Sequence, residues 1–202
     1  AGTYYVVVGT APFTPTGDSL VVTVTFDDAT PPPTNESCAA PTDITGGVHE
    51  TGNFVGVTDD VSIPCNPGAN PDLLYTFTTT TDQDVTIRGT TRTGDVLDVC
   101  VRSTCTGGGE KRCTSGQPLS TLIHSLPAGT WYLVLEGPSY REVDYSLDVS
   151  FGPATPAPPG DNCDDPITIV PGTPVTGMLG DKQDDVATTC GYNYVDSVYT
   201  FD

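Results

Sequence analysis

The chain has 202 residues, with 26 Asp and Glu against seven Lys and Arg and a formal charge of −19 at pH 7. That balance excludes nucleic-acid binding, which needs a basic footprint, and docking on anionic lipid. No stretch approaches the roughly 20 apolar residues of a membrane-spanning helix; the first residue is Ala rather than Met, so any export signal is expected to have been removed or to lie upstream.

In chain order, residues 1–26 read as two strands. Tyr4–Val8 is β-branched and aromatic, and Leu20, Val22, Val24 and Phe26 alternate with Val21, Thr23 and Thr25, the period of a half-buried strand. Residues 1–28 are expected to be the closing hairpin of a preceding repeat. A proline-rich linker follows at 29–34, and a second at 152–160; both are expected to be semi-rigid polyproline II spacers. Residues 35–151 form one complete unit. Its candidate strands are 48–57, 73–80, 84–89, 96–102, 119–126, 130–136 and 143–151. Gly, Pro and Asp fill the gaps, and no window has sustained helical periodicity. Short strands spaced by turns argue for an all-β, jelly-roll-like β-sandwich. Residues 161–202 are expected to open a following repeat.

The repeat is written in the residues. Ala1-Gly2-Thr3-Tyr4-Tyr5-Val6-Val7-Val8 returns as Ala128-Gly129-Thr130-Trp131-Tyr132-Leu133-Val134-Leu135, and Tyr75-Thr76-Phe77 returns as Tyr199-Thr200-Phe201. A fixed period of about 125 residues is the signature of an array whose unit is large enough to bury its own core. The expected partners are neighbouring repeats or subunits of the same protein, with a surface polysaccharide as a further candidate. Joining the two partial units head to tail leaves a gap corresponding to residues 79–126, so a longer parent chain is the plainer explanation of the cut repeats.

Cys38 and Cys65 are 27 positions apart, as are Cys163 and Cys190. That spacing suits disulfide staples better than the close pairs of a zinc site. The expected bridges are Cys38 with Cys65, Cys163 with Cys190, and Cys105 with Cys113 across a glycine-rich turn. Cys100 is left over and is expected as a buried free thiol, with a bridge to Cys113 or an intermolecular bond as the alternatives. Stable disulfides imply an extracellular or cell-surface location.

Little in the sequence carries chemistry. His49 and His124 lie near no nucleophile elbow or zinc-protease motif, so no catalytic residue, cofactor or enzyme activity is expected. Asp59-Asp60 recurs as Asp184-Asp185 before the second cysteine, which makes these four the weak candidates for calcium, an ion that needs six to eight oxygens. Asn35-Glu36-Ser37 is a sequon for an N-glycan. Thr30, Thr34 and Thr155 beside proline suit O-glycans. Trp131 is expected in the core.

Taken together, Asn-x-x-Cys at 35–38, Asp59-Asp60 then Cys65, Asp72-Leu73-Leu74-Tyr75-Thr76-Phe77, Asp84-Val85-Thr86-Ile87, the Cys105–Cys113 turn and Ala128–Leu135 resemble the bacterial pre-peptidase C-terminal domain, in a disulfide-bearing tandem form. The resemblance implies a β-sandwich of a large secreted or surface protein. No peptidase residues accompany it. The function expected from the whole sequence is an extracellular structural or adhesive tandem-repeat protein forming a stalk, surface fibre or filament. The alternative is a carbohydrate- or matrix-binding accessory module of a secreted hydrolase.

Overall fold

A computed structural model describes residues 3–8, 21–26, 31, 33–161, 163, 165–179, 182 and 195–201. Among these the chain forms strands β1 (Thr42–Asp43), β2 (Val48–Asn53), β3 (Asp72–Thr79), β4 (Gln83–Thr91), β5 (Leu97–Arg102), β6 (Glu110–Gly116), β7 (Leu119–Leu126), β8 (Gly129–Glu136), β9 (Asp144–Pro153), β10 (Ile167–Thr168) and β11 (Tyr199–Thr200). A five-stranded sheet runs β1-β3-β8-β5-β6 and a four-stranded sheet runs β2-β9-β4-β7, while β10 and β11 pair separately. All partners within the two larger sheets are antiparallel except β1 and β3. The protein is therefore an all-β sandwich.

The inward residues explain the pairing of the layers. Tyr75, Phe77, Val99, Val101, Leu133 and Leu135 from one sheet meet Val85, Ile87, Leu119, Ile123, Leu147 and Val149 from the other in one buried core. Trp131 lies in that core, with its indole N–H donating to the Pro127 carbonyl. The Tyr75 and Tyr145 hydroxyls meet at 2.8 Å, so the two sheets also share a polar tie.

The five-stranded sheet is buried on its outer face as well. Val61 and Ile63 pack there on Leu74, Val134 and Cys100. This cover is why Leu73, Leu74 and Tyr75 are all buried rather than alternating as a half-exposed strand does.

Several expectations change. The strand expected at 48–57 ends at Asn53. Strand β6 occupies what reads as a disulfide turn; its burial is irregular and its sequence polar, so no period-2 signal marks it. β9 runs to Pro153 and Thr155 bonds Asp84, so the start of the expected 152–160 spacer belongs to the sandwich. Residues 3–8 and 21–26 form no strand and are exposed. Their sequence counterparts, β8 and β9, lie in different sheets. The expected linker residues 29, 30 and 32 lie outside the described residues.

The disulfides join Cys38 to Cys105 and Cys65 to Cys113, which corrects the pairing expected from spacing. The 27-residue interval marks position in the repeat rather than contact. Cys105 lies in the β5–β6 turn and Cys113 on β6, and each receives a cysteine from the segments that cover the outer face. Cys190 lies outside the described residues.

Candidate functional site

The register places a row of polar groups across the outer face of the five-stranded sheet. Asp72 on β3 is directly opposite Glu136 on β8, Glu136 is opposite Asp98 on β5, and Asp98 is opposite Ser115 on β6. Directly opposed residues share a face, so three carboxylates lie side by side. All three are buried. Like charges opposed in this way repel, and removing them from water costs more still.

The covering loop answers part of that cost. The backbone N–H groups of Asp60 and Val61 donate to Asp72 Oδ2 at 2.7 and 2.9 Å. Asn70 donates to Glu136 Oε2 at 3.3 Å and Asn66 to Asp98 Oδ2 at 2.8 Å. The Ser115 hydroxyl donates to Asp98 Oδ1. Asp72 Oδ1 and Glu136 Oε1 are left buried without a hydrogen-bond partner.

Burial also shifts the row toward its protonated forms. Burial pushes the Glu136 carboxyl up to about 8; the Asn70 bond opposes this and neighbouring Asp98 and Asp72 add to it. Burial likewise raises Asp72 to about 6, against the two backbone donors. In both groups burial therefore favours the protonated, neutral carboxyl over the charged one.

The next row along the same face is Leu74, Val134, Cys100 and Cys113. Cys100 is buried and unbridged although it is opposite Cys113, which is bonded to Cys65. Burial pushes its thiol up to about 12, far from the reactive thiolate range. Beyond it Arg102 is fully buried, and its guanidinium donates to the carbonyls of Ser62 and Cys105. This ledge of acids, sulfur and arginine locks the 58–71 loop onto the sheet.

A second feature lies at the β4–β7 edge. An open cavity of about 410 Å³ is lined by Arg88, Arg112, His124 and Lys182 among other residues. Three of the chain's seven Lys and Arg thus share one depression. Nearby, Thr155 Oγ1 donates to Asp84 Oδ2 and lies 2.8 Å from His124 Nδ1. The same ring nitrogen also faces Asp84, at 3.7 Å. A catalytic relay needs the hydroxyl and the carboxylate on opposite nitrogens, so this trio ties a segment to the sheet and performs no relay.

The other sequence candidates scatter. Asp59 and Asp60 are exposed, Asp60 contributing its backbone N–H to the carboxylate row; Asp184 and Asp185 lie outside the described residues. Among the described residues no three His, Cys, Asp or Glu side chains are grouped to hold a metal ion. His49 meets Asp148 across β2 and β9 on the exposed face. Asn35 is buried and its carbonyl accepts from Leu74 N–H, so a glycan there would force the segment out of the fold. Thr34 is exposed, the Thr155 hydroxyl is engaged as above, and Thr30 lies outside the described residues. Sequence reasoning missed Asp72, Glu136 and Asp98, because only the register brings them together.

No family model matches the sequence, and no curated protein matches it. Solved structures do. The strand arrangement is similar to that of a pre-peptidase C-terminal domain. That domain belongs to a collagenase of Bacillus anthracis, with 14% identity, a TM-score of 0.43, and coverage of 61% of this chain and 100% of that one. A periplasmic inhibitor of g-type lysozyme from Aeromonas hydrophila matches at 15% identity and TM-score 0.37, covering 55% and 96% of the two chains. The CBM36-1 domain of a xylanase from the hindgut metagenome of Trinervitermes trinervoides matches at 16% and 0.30, covering 54% and 99%.

Proposed function

We propose that the chain is part of an extracellular structural protein built from tandem β-sandwiches. The observation that carries this reading is the β10–β11 pair. It is parallel, with Ile167 opposite Tyr199 and Thr168 opposite Thr200. The β1–β3 pair is parallel with Thr42 opposite Tyr75 and Asp43 opposite Thr76. This shared parallel pairing, spaced by the sequence period, supports the reading of an array.

The surface supports a structural role over sugar stacking. Within residues 33–160, Tyr140 is the one strongly exposed aromatic side chain, and its hydroxyl donates to Asp95. A stacking platform needs more aromatic surface than one tethered ring. The two disulfides fit secretion. Immunogold labelling of intact producing cells tests the reading. Label on fibres or a surface layer is the expected result, and label only after permeabilisation contradicts it.

The basic cavity favours a second reading, binding of an acidic polysaccharide. An otherwise acidic molecule that gathers Arg88, Arg112, His124 and Lys182 offers anionic groups one local attraction. Calorimetry with a uronate polymer distinguishes the readings: binding lost with added salt and weakened at least tenfold in Arg88→Ala supports the module, and absence of binding leaves the structural role.

A further inference from the structure

A free thiol is sealed against two disulfides on the outer face of the five-stranded sheet. Cys38, Cys65, Cys105 and Cys113 all pack against one buried cluster, made by Val61, Ile63, Leu74, Cys100 and Val134. Four of these sulfurs are bonded, as Cys38–Cys105 and Cys65–Cys113. The fifth, on Cys100, is unbridged and fully buried.

The register gives that thiol one particular neighbour. Cys100 on β5 is directly opposite Cys113 on β6, while across β8 it is opposite Val134. Directly opposed residues of an antiparallel pair share a face, with Cα atoms about 4.5 or 5.5 Å apart according to their place in the ladder. A disulfide spans Cα separations of about 4.4–6.8 Å, so either spacing admits a bridge. Cys113 already bonds Cys65 across a Cα separation of 5.5 Å. It therefore stands within bridging reach of two cysteines and can hold only one.

The two pairings do different work. Cys65 belongs to the 58–71 loop, and its bridge to β6 is the covalent hold on that cover. The loop lays Val61 and Ile63 over Leu74, Val134 and Cys100, and it caps Asp72 with two backbone N–H groups. A Cys100–Cys113 bridge instead joins two strands that are already neighbours and holds no cover. It also closes a far shorter loop of the unfolded chain than Cys65–Cys113 does, and a shorter loop stabilises less. The cover is thus fastened in one pairing and released in the other.

The closed cover also keeps the thiol inert. The thiolate is the attacking species in exchange. Burial pushes Cys100 up to about 12; nearby Arg102 opposes this, and Glu110 and Glu136 add to it. Opening of the 58–71 loop brings water to the sulfur and removes the main cause of that rise. Attack therefore follows opening and does not precede it.

We propose that Cys100 and the Cys65–Cys113 bridge form a thiol–disulfide exchange latch, in which opening of the 58–71 loop lets Cys100 take Cys113 and leaves the loop released. Cys100 Sγ gives its proton to water and attacks Cys113 Sγ. The Cys100–Cys113 bond forms as the Cys65–Cys113 bond breaks. The electron pair of the broken bond leaves on Cys65 Sγ, which takes up a proton. One thiol and one disulfide stand on each side of the step, so no oxidant or reductant enters. Cys38–Cys105 is untouched. The product leaves Leu74 and Val134, buried in the closed form, without their fastened cover. The latch is independent of the tandem-repeat reading, since all its parts lie within one sandwich.

Alkylation mapping on the full chain tests it. The chain is held without added thiol in urea below its unfolding transition. Samples are then fully unfolded in excess N-ethylmaleimide and digested without reduction. At the start the label is expected on Cys100 and absent from Cys65. With time it moves to Cys65, and a Cys100–Cys113 peptide replaces the Cys65–Cys113 peptide at a rate independent of protein concentration. Protease cleavage within 58–71 is expected to rise in step. Cys100→Ser, checked for its fold by near-ultraviolet circular dichroism, is expected to keep Cys65–Cys113 throughout. A second variant needs no opening step: Cys65→Ser, refolded with glutathione disulfide as oxidant, is expected to bridge Cys100 to Cys113. A label that stays on Cys100, a Cys100–Cys113 bridge present before incubation, a rate that rises with protein concentration, or a Cys65→Ser chain with both thiols free overturns the proposal.

Discussion

Glu136 is the residue whose chemistry departs furthest from its sequence appearance. A glutamate closing an apolar strand reads as a surface charge, yet it is fully buried between Asp72 and Asp98. Its carboxyl is raised to about 8, while in the unfolded chain it titrates in the ordinary carboxylate range. The folded protein therefore holds an extra proton between those limits. This contribution to stability is complete below the ordinary range and is lost as pH rises through about 8. Asp72, raised to about 6, acts in the same direction over a lower window. The melting temperature is expected to fall from about pH 5 to about pH 9 in a calorimetric series. Glu136→Gln, which keeps the shape and a donor, is expected to flatten the slope and raise stability at the alkaline end; an unchanged slope would refute the buried-acid account. Trp131→Ala opens the core and is expected to cost about 3–5 kcal/mol in denaturant unfolding.

At the scale of elements, alternation made most strands readable: β4, β5, β7, β8 and β9 carry large inward residues and fall close to their expected bounds. β1 is two residues long and β6 is polar, so neither had a periodic signal to find. Cysteine spacing located the staples, but pairing depends on which covering segment meets which strand. Bridges spanning 67 and 48 residues close long loops of the unfolded chain, an effect of about 4 kcal/mol each. Replacing Cys65 and Cys113 together by Ser is expected to lower unfolding free energy by about that amount and to free the 58–71 loop to protease. Non-reducing peptide mapping is expected to link Cys38 to Cys105; a Cys38–Cys65 peptide would restore the pairing read from spacing. The carboxylate row was illegible for a related reason, since Asp72, Asp98 and Glu136 are joined by register alone.

The whole molecule combines a stapled sandwich with a charge of −19. Copies of it repel one another through that charge, and added salt, which screens charges beyond a Debye length, weakens the repulsion. The residues themselves recur at a fixed interval in the sequence. Sheet order was not legible, because no residue signal says which strand lies beside which. The most direct test images the surface of intact producing cells by electron cryomicroscopy with antibody to this chain. Labelled fibres or a layer with one constant axial spacing are the predicted result. Label on no regular surface structure would contradict the account.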